Sequence, residues 1–116
     1  MIVIIFESEP HPGKKDAYLE LAARMRPLAE GIDGFISVER FESIANPGKI
    51  VSLSFWRDEE AVRQWRNVEE HRRTQAAGRK SIFADYRLRV AHVLRDYGLN
   101  ERAEAPDDSL LVHDAQ

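Results

Sequence analysis

The order in which the hydrophobic pattern changes its period is the feature that most limits how this chain can fold. Residues 2–6 form a dense β-branched and aromatic run, and from Lys14 to Leu28 the apolar residues recur at helical spacing. Alternating segments at 35–42 and 50–56, a helical region at 59–79 and a last alternating segment at 86–93 follow. This order predicts an α+β domain of ferredoxin-like topology, a split βαβ unit whose two helices cover one face of a four-stranded antiparallel sheet.

Three residues carry local signals about the ends of the helices. Pro27 lacks a backbone N–H and is expected to end or kink the first helix near Arg26. Asp58 precedes two glutamates and is a suitable N-cap for the second helix, since acidic groups favour the positive end of the helix dipole. The second helical region is expected to be interrupted near Asn67.

The alternating segments are apolar on both faces, and this points beyond a monomer. At 50–56 one face carries Val51, Leu53 and Phe55, and the other carries Ile50, Ser52, Ser54 and Trp56. At 35–42 one face carries Ile36 and Val38, and the other carries Phe35, Ser37, Glu39 and Phe41. Because two helices cover only one face, we expect a homodimer with stacked sheets, that is, a dimeric α+β barrel.

Charged residues on the strands fit the same expectation. Glu39 and Arg40 lie in mid-strand between apolar residues and are expected to be cross-strand or interface partners. Arg87 and Arg89 share a face, so at least one of them is expected to point toward the partner sheet.

Composition excludes several classes of function. The chain has 116 residues, no cysteine and a formal charge of -3, so it offers no disulfide framework or thiolate site and no attraction to nucleic acid or acidic lipid. No apolar run is long enough to cross a membrane, and residues 2–6 are too short for a signal peptide, so we expect a cytoplasmic location. The four histidines show no chelating spacing, so no metal site is expected.

A cluster of aromatic and basic residues around the second helix remains as the candidate site. It comprises Trp56, Trp65, His71, Gln75, Tyr86 and Arg87. Periodicity alone favours Trp65 as a core residue, His71 as a partly exposed helix residue, and Arg87 as a solvated or interfacial cation. Spacing alone therefore predicts a small dimeric α+β domain with one aromatic-lined cavity.

Several segments together resemble the antibiotic biosynthesis monooxygenase family. They are SLSFWRDEEAV at 52–62, Trp65, Glu70-His71-Arg72, QAAGR at 75–79, YRLRVA at 86–91 and GFIS at 34–37. The resemblance spans about residues 1–97 and implies a dimeric α+β barrel with a cavity between helices and sheet. It also implies a cofactor-independent oxygenase of a small aromatic, quinol or polyketide-type molecule. Trp65, His71 and Arg87 are then the expected catalytic residues, and Phe6, Trp56, Gln75 and Tyr86 the expected substrate contacts.

The implied chemistry needs little from the protein. A phenol or hydroquinone anion is electron-rich enough to reduce dioxygen, so the protein must bind it, favour its deprotonation and stabilise the anion. In this reading His71 takes the proton and Arg87 holds the phenolate.

Two other functions stay open at this stage. The haem-degrading branch of the family uses an Asn on strand 1, a Trp and a His; Trp65 matches, but Phe6 and Gln75 stand at the other two positions. A non-catalytic role in binding a small ligand is the third possibility.

The chain is expected to divide into a folded domain, residues 1–98, and a C-terminal tail, residues 99–116. The tail is polar and charged, but Leu110, Leu111 and Val112 are too apolar to remain free in water. We expect this segment to pack on its own domain or on the partner subunit.

Overall fold

The computed structural model describes the backbone of residues 1–75 and 81–114, and the side chains of residues 1–68 and 81–113. Its elements are β1 (Ile2–Pro10), α1 (Lys15–Glu30), β2 (Phe35–Glu42), β3 (Ile50–Trp56), α2 (Glu59–Gln75), β4 (Phe83–His92) and α3 (Asp107–Ser109), followed by a π-helical turn (Leu110–Asp114). The four strands form one antiparallel sheet in the order β2-β3-β1-β4. The predicted α+β ferredoxin-like fold is therefore confirmed.

Several predicted boundaries are wrong. β1 continues to Pro10, and β4 begins at Phe83. α1 runs through Pro27 to Glu30; because Pro27 and Ala23 one turn earlier are both exposed, water can bind the carbonyl that the proline leaves without a donor. α2 is continuous through Asn67 to Gln75, and the predicted helical residues 76–79 lie outside the described part of the chain.

A bulge at the start of β2 changes the predicted faces of this strand. Phe35 pairs with Trp56, whereas Ser37 pairs with Phe55, so Ile36 is the extra residue and is exposed. Phe35 therefore lies on the same face as Val38 and packs edge-on against Trp56, with ring centroids 5.3 Å apart. Alternation alone had assigned Phe35 to the opposite face.

Two clusters of buried residues join the helices to the sheet. One contains Ile2, Ile4, Ala29, Trp56, Ala61 and Val62, with Ile32, Phe35 and Trp65 packed on it. The other contains Tyr18, Ile50 and Ile82, with Ala17, Leu21 and Phe83 packed on it. The clusters lie at opposite ends of the strands, and the middle of the sheet is left between them.

The start of α2 is fixed by the loop before it. The Asp58 carboxylate accepts a hydrogen bond of 2.9 Å from the Ala61 N–H, which confirms the predicted N-cap. Gly34 has a φ of 98°, and a Cβ there would lie 2.8 Å from the Cβ of Ala61. The loop can approach this helix so closely only because residue 34 has no side chain.

Candidate active site

One row of side chains crosses the helix-covered face between the two core clusters. In antiparallel pairs, directly opposed residues point to the same face, and the register places Arg40, Ser52, Phe6 and Leu88 side by side across the four strands. We call these four residues the central row. Ser52 lies on an inner strand and yet stays half-buried, whereas Ser8 and Ser54 on the same face are fully buried. The helices therefore leave part of this row accessible.

The neighbouring serines differ from Ser52 in their hydrogen bonds too. Ser8 donates to the carbonyl of Ile50 at 3.1 Å, and the Ser54 hydroxyl accepts from the indole N–H of Trp56 at 2.9 Å. Within the described residues the Ser52 hydroxyl has no such partner. The central row thus offers a ligand a hydroxyl that no described residue binds.

The two tryptophans stack on one side of the central row. Their ring centroids lie 5.8 Å apart with an interplanar angle of 23°. Trp56 is 1% exposed, so it is a core residue that supports Trp65, and its role as a substrate contact stays a prediction. Trp65 is half-buried, which leaves part of this side chain for a ligand.

An aromatic cluster lies on the other side of the row. Phe6 stacks on Tyr86 at 5.4 Å and 16° and contacts Phe83 at 5.6 Å, and Phe83 packs edge-on against Tyr18 at 5.2 Å. Tyr86 is 53% exposed. The structure therefore brings together Phe6 and Tyr86, two of the predicted substrate contacts.

The structure places Arg40 in a different setting from the one that the sequence predicted. It was expected to pair across strands or at the interface, but its register partner is Ser52 and its side chain lies on the helix-covered face. Its Nε is buried without a hydrogen-bond partner, and within the described residues Arg40 forms no ion pair. The signal in the sequence is its alternation with Val38, but that pattern does not say which face the helices cover.

Arg87 lies on the opposite face of the sheet. Its partner in the register of β1 and β4 is Glu7. The Glu7 carboxylate accepts a hydrogen bond of 2.7 Å from Arg89. This bond lowers the pKa of Glu7, with smaller contributions from the nearby cations, including Arg87. The structure does not bring Arg87 to the face of Trp65.

His71 and Gln75 fall within α2, but their side chains lie outside the described residues. Among the described residues no group of three or more His, Asp or Glu side chains could hold a metal ion. No helix in the described part of the chain is long and apolar enough to cross a membrane.

Residues 1–77, about two thirds of the chain, match the sequence profile of the family described as antibiotic biosynthesis monooxygenase. The chain belongs to this family. A family relative, jasmonate monooxygenase ABM from Pyricularia oryzae, is 43% identical over 109 residues, which cover 92% of this chain. The chain spans only 51% of that relative.

Solved structures show the same family fold at low sequence identity. SnoaB, a cofactor-independent oxygenase from Streptomyces nogalater, has a TM-score of 0.68 at 12% identity, and the match covers 82% of this chain and 94% of SnoaB. MhuD with manganese protoporphyrin IX bound has a TM-score of 0.64 at 17% identity, covering 84% of this chain and 99% of MhuD. At such identities the likeness extends to the fold alone.

Proposed function

We propose that the chain is a cofactor-independent monooxygenase that oxidises a small aromatic, quinol or polyketide-type molecule with dioxygen. The observation that carries the proposal is the half-open central row, which has the stacked indoles on one side and, on the other, the ring of Tyr86 stacked on Phe6 of the row. Aromatic faces on two sides and few polar groups suit a flat apolar ring. The family, and a relative named for jasmonate oxidation, support this class of reaction.

The proposed reaction balances without an added reductant. An activated ring CH2 loses a proton, and the resulting carbanion or phenolate reduces dioxygen. One oxygen atom becomes the new carbonyl C=O, and the other leaves as water with the two hydrogens of the CH2 group. Substrate and dioxygen therefore supply all the atoms and electrons, and the protein supplies binding and proton transfer.

Each residue has a limited part in this proposal. Trp65 would bind the ring by its face, and Phe6 and Tyr86 would close the other side of the pocket. His71 on α2 would accept the proton, since imidazole titrates near neutral pH. Gln75, at the end of α2, would be a substrate contact. Arg87 lies on the other face and takes no part.

The proposed enzyme is a homodimer. Val3, Ile5, Val51, Leu53 and Phe55 lie on the face of the sheet that α1 and α2 do not cover. An apolar sheet face of this kind is stabilised by a second copy packed on it. A cytoplasmic location belongs to the same proposal, because a chain without cysteine needs no oxidising compartment.

Oxygen consumption tests the proposal. The protein without added cofactor is supplied with a panel of quinols and polyketide-like phenols, and a substrate-dependent, stoichiometric uptake of dioxygen is expected. Trp65→Ala should lower kcat/KM by about 100-fold, because the ring is no longer held in place. Ile44→Ala, at a loop residue that is 98% exposed, is the control and should keep full activity. Ligand binding without oxygen uptake for every compound would favour the non-catalytic binding role.

Haem degradation is the second enzymatic candidate, and the described residues fit haem poorly. The central row carries Phe6 and Leu88, and among its residues none offers an imidazole as an axial ligand. Haemin titration is therefore expected to give no sharp Soret band of a histidine-ligated complex. A stoichiometric shift that disappears in His71→Ala would reverse the order of the two candidates.

A further inference from the structure

We propose that Arg40 binds a carboxylate group of the ligand, so that the site selects organic acids with a flat apolar body. The inference rests on the proposed function, because it assumes that the central row lines the ligand site. It adds the residue that binds the charge of the ligand, which the comparisons with relatives do not give.

The first argument is that Arg40 has an unsatisfied donor at this site. Its Nε is buried and makes no hydrogen bond. A buried donor without a partner destabilises the folded state, so such groups are rare in proteins unless a ligand or water completes them. The half-buried side chain borders the open part of the central row, where a ligand can reach it.

The second argument is that no carboxylate among the described side chains neutralises Arg40. Glu42, two residues further along the same face of β2, binds Lys15 with an N–O distance of 3.2 Å. Glu39 is paired with Leu53 and lies on the opposite face of the sheet. The guanidinium charge is therefore available for an anion from outside the chain.

The third argument is the arrangement of donors. Ser52 is the direct cross-strand partner of Arg40 and carries a hydroxyl that no described residue binds. A guanidinium holds a carboxylate through two parallel N–H bonds, and an adjacent hydroxyl can donate a third. Two unpartnered donors on adjacent strands thus form a site that suits a carboxylate.

The fourth argument is the distance to the apolar end of the row. Arg40 lies two strands from Phe6, or about 10 Å between Cα atoms at the usual strand spacing. A fused ring with a short carboxylate arm spans this distance. Its ring would reach Phe6 and Trp65 while its carboxylate meets Arg40.

A pair of matched probes tests the inference: 1-naphthylacetate and its neutral analogue 1-naphthylacetamide. Titration calorimetry at neutral pH should show that the wild-type protein binds the carboxylate about tenfold more tightly or better, since hydrogen bonds to a charged group are stronger than those to the neutral amide. Arg40→Gln should bring the two dissociation constants to within about twofold, and Arg40→Lys should keep part of the preference, because a lysine retains the charge but not the fork geometry.

Arg87→Gln is the matched control, since it removes the same charge from the other face of the sheet and should leave the preference intact. Melting temperatures of all variants show that they are folded. Equal binding of the two probes by the wild type, binding of neither, or a preference that survives in Arg40→Gln would overturn the inference. Dioxygen uptake on neutral phenols that depends on Trp65 would still support the proposed function, so the two failures are distinguishable.

Discussion

The indole of Trp65 stacks on the indole of Trp56, and the Trp56 N–H is in turn held by the Ser54 hydroxyl. One ring is therefore fixed in the core, and the other lies between the core and the proposed ligand. Mutation of Trp56 should therefore affect mainly stability, and mutation of Trp65 mainly activity.

Trp56→Ala should cost about 3–5 kcal/mol of unfolding free energy, because it leaves a large cavity in the core. Trp65→Ala should cost about 1–2 kcal/mol, since its side chain is only half-buried, and its main effect should be on ligand affinity and turnover. Urea unfolding and steady-state kinetics on both variants check this. Equal loss of stability in the two variants would show that Trp65 is simply another core residue.

The uncovered face of the sheet predicts a dimer. Light scattering at micromolar concentration should give about twice the mass of the chain. Leu53→Glu, which puts a charge at the centre of this face, should yield monomers, because an unpaired charge is costly to bury between two sheets. Ile44→Glu, on an exposed loop, introduces the same charge and should leave the dimer intact. A wild-type monomer would contradict the prediction.

The C-terminal tail should contribute to the dimer. Leu111 and Val112 are 74% and 62% exposed, so they do not pack on their own subunit. We expect this segment to pack on the partner subunit, so truncation after Gly98 should raise the dimer dissociation constant. Unchanged dimer affinity in sedimentation experiments would show that the tail has no part in association.

The carboxylates at the start of α2 are expected to make the protein less stable in acid. The hydrogen bond from the Ala61 N–H, and then Arg57, lower the pKa of Asp58 below its usual 3.8, and Arg63 lowers the pKa of Glu60 to about 2. A group with a lowered folded-state pKa stabilises the protein above its unfolded pKa, and this contribution is lost as the pH falls through the folded pKa. Between about pH 4 and pH 2 the free energy of unfolding should therefore fall less in Asp58→Asn than in the wild type. The asparagine keeps the capping oxygen but does not titrate. The midpoints of urea unfolding across this pH range measure the difference. Identical pH profiles for the wild type and Asp58→Asn would show that Asp58 does not contribute to the acid effect.

The sequence predicted most of the fold because local signals agree with it. Hydrophobic periods set the order of elements, and Asp58 marks the start of α2. At Pro27 the sequence left open an end or a kink, and the helix does not end there. The predicted faces failed at Ile36, where a bulge reverses the face of Phe35.

For the site, the residue types can be read from the sequence: two tryptophans, an aromatic pair on β1 and β4, and several arginines. Which of these residues meet depends on the three-dimensional packing. Register and helix placement bury Trp56, leave Trp65 accessible, turn Arg87 to the far face and put Arg40 beside Ser52, in the same row as Phe6. The physical reason is that alternation fixes which residues share a face of a strand, whereas the packing of distant helices fixes which face is covered.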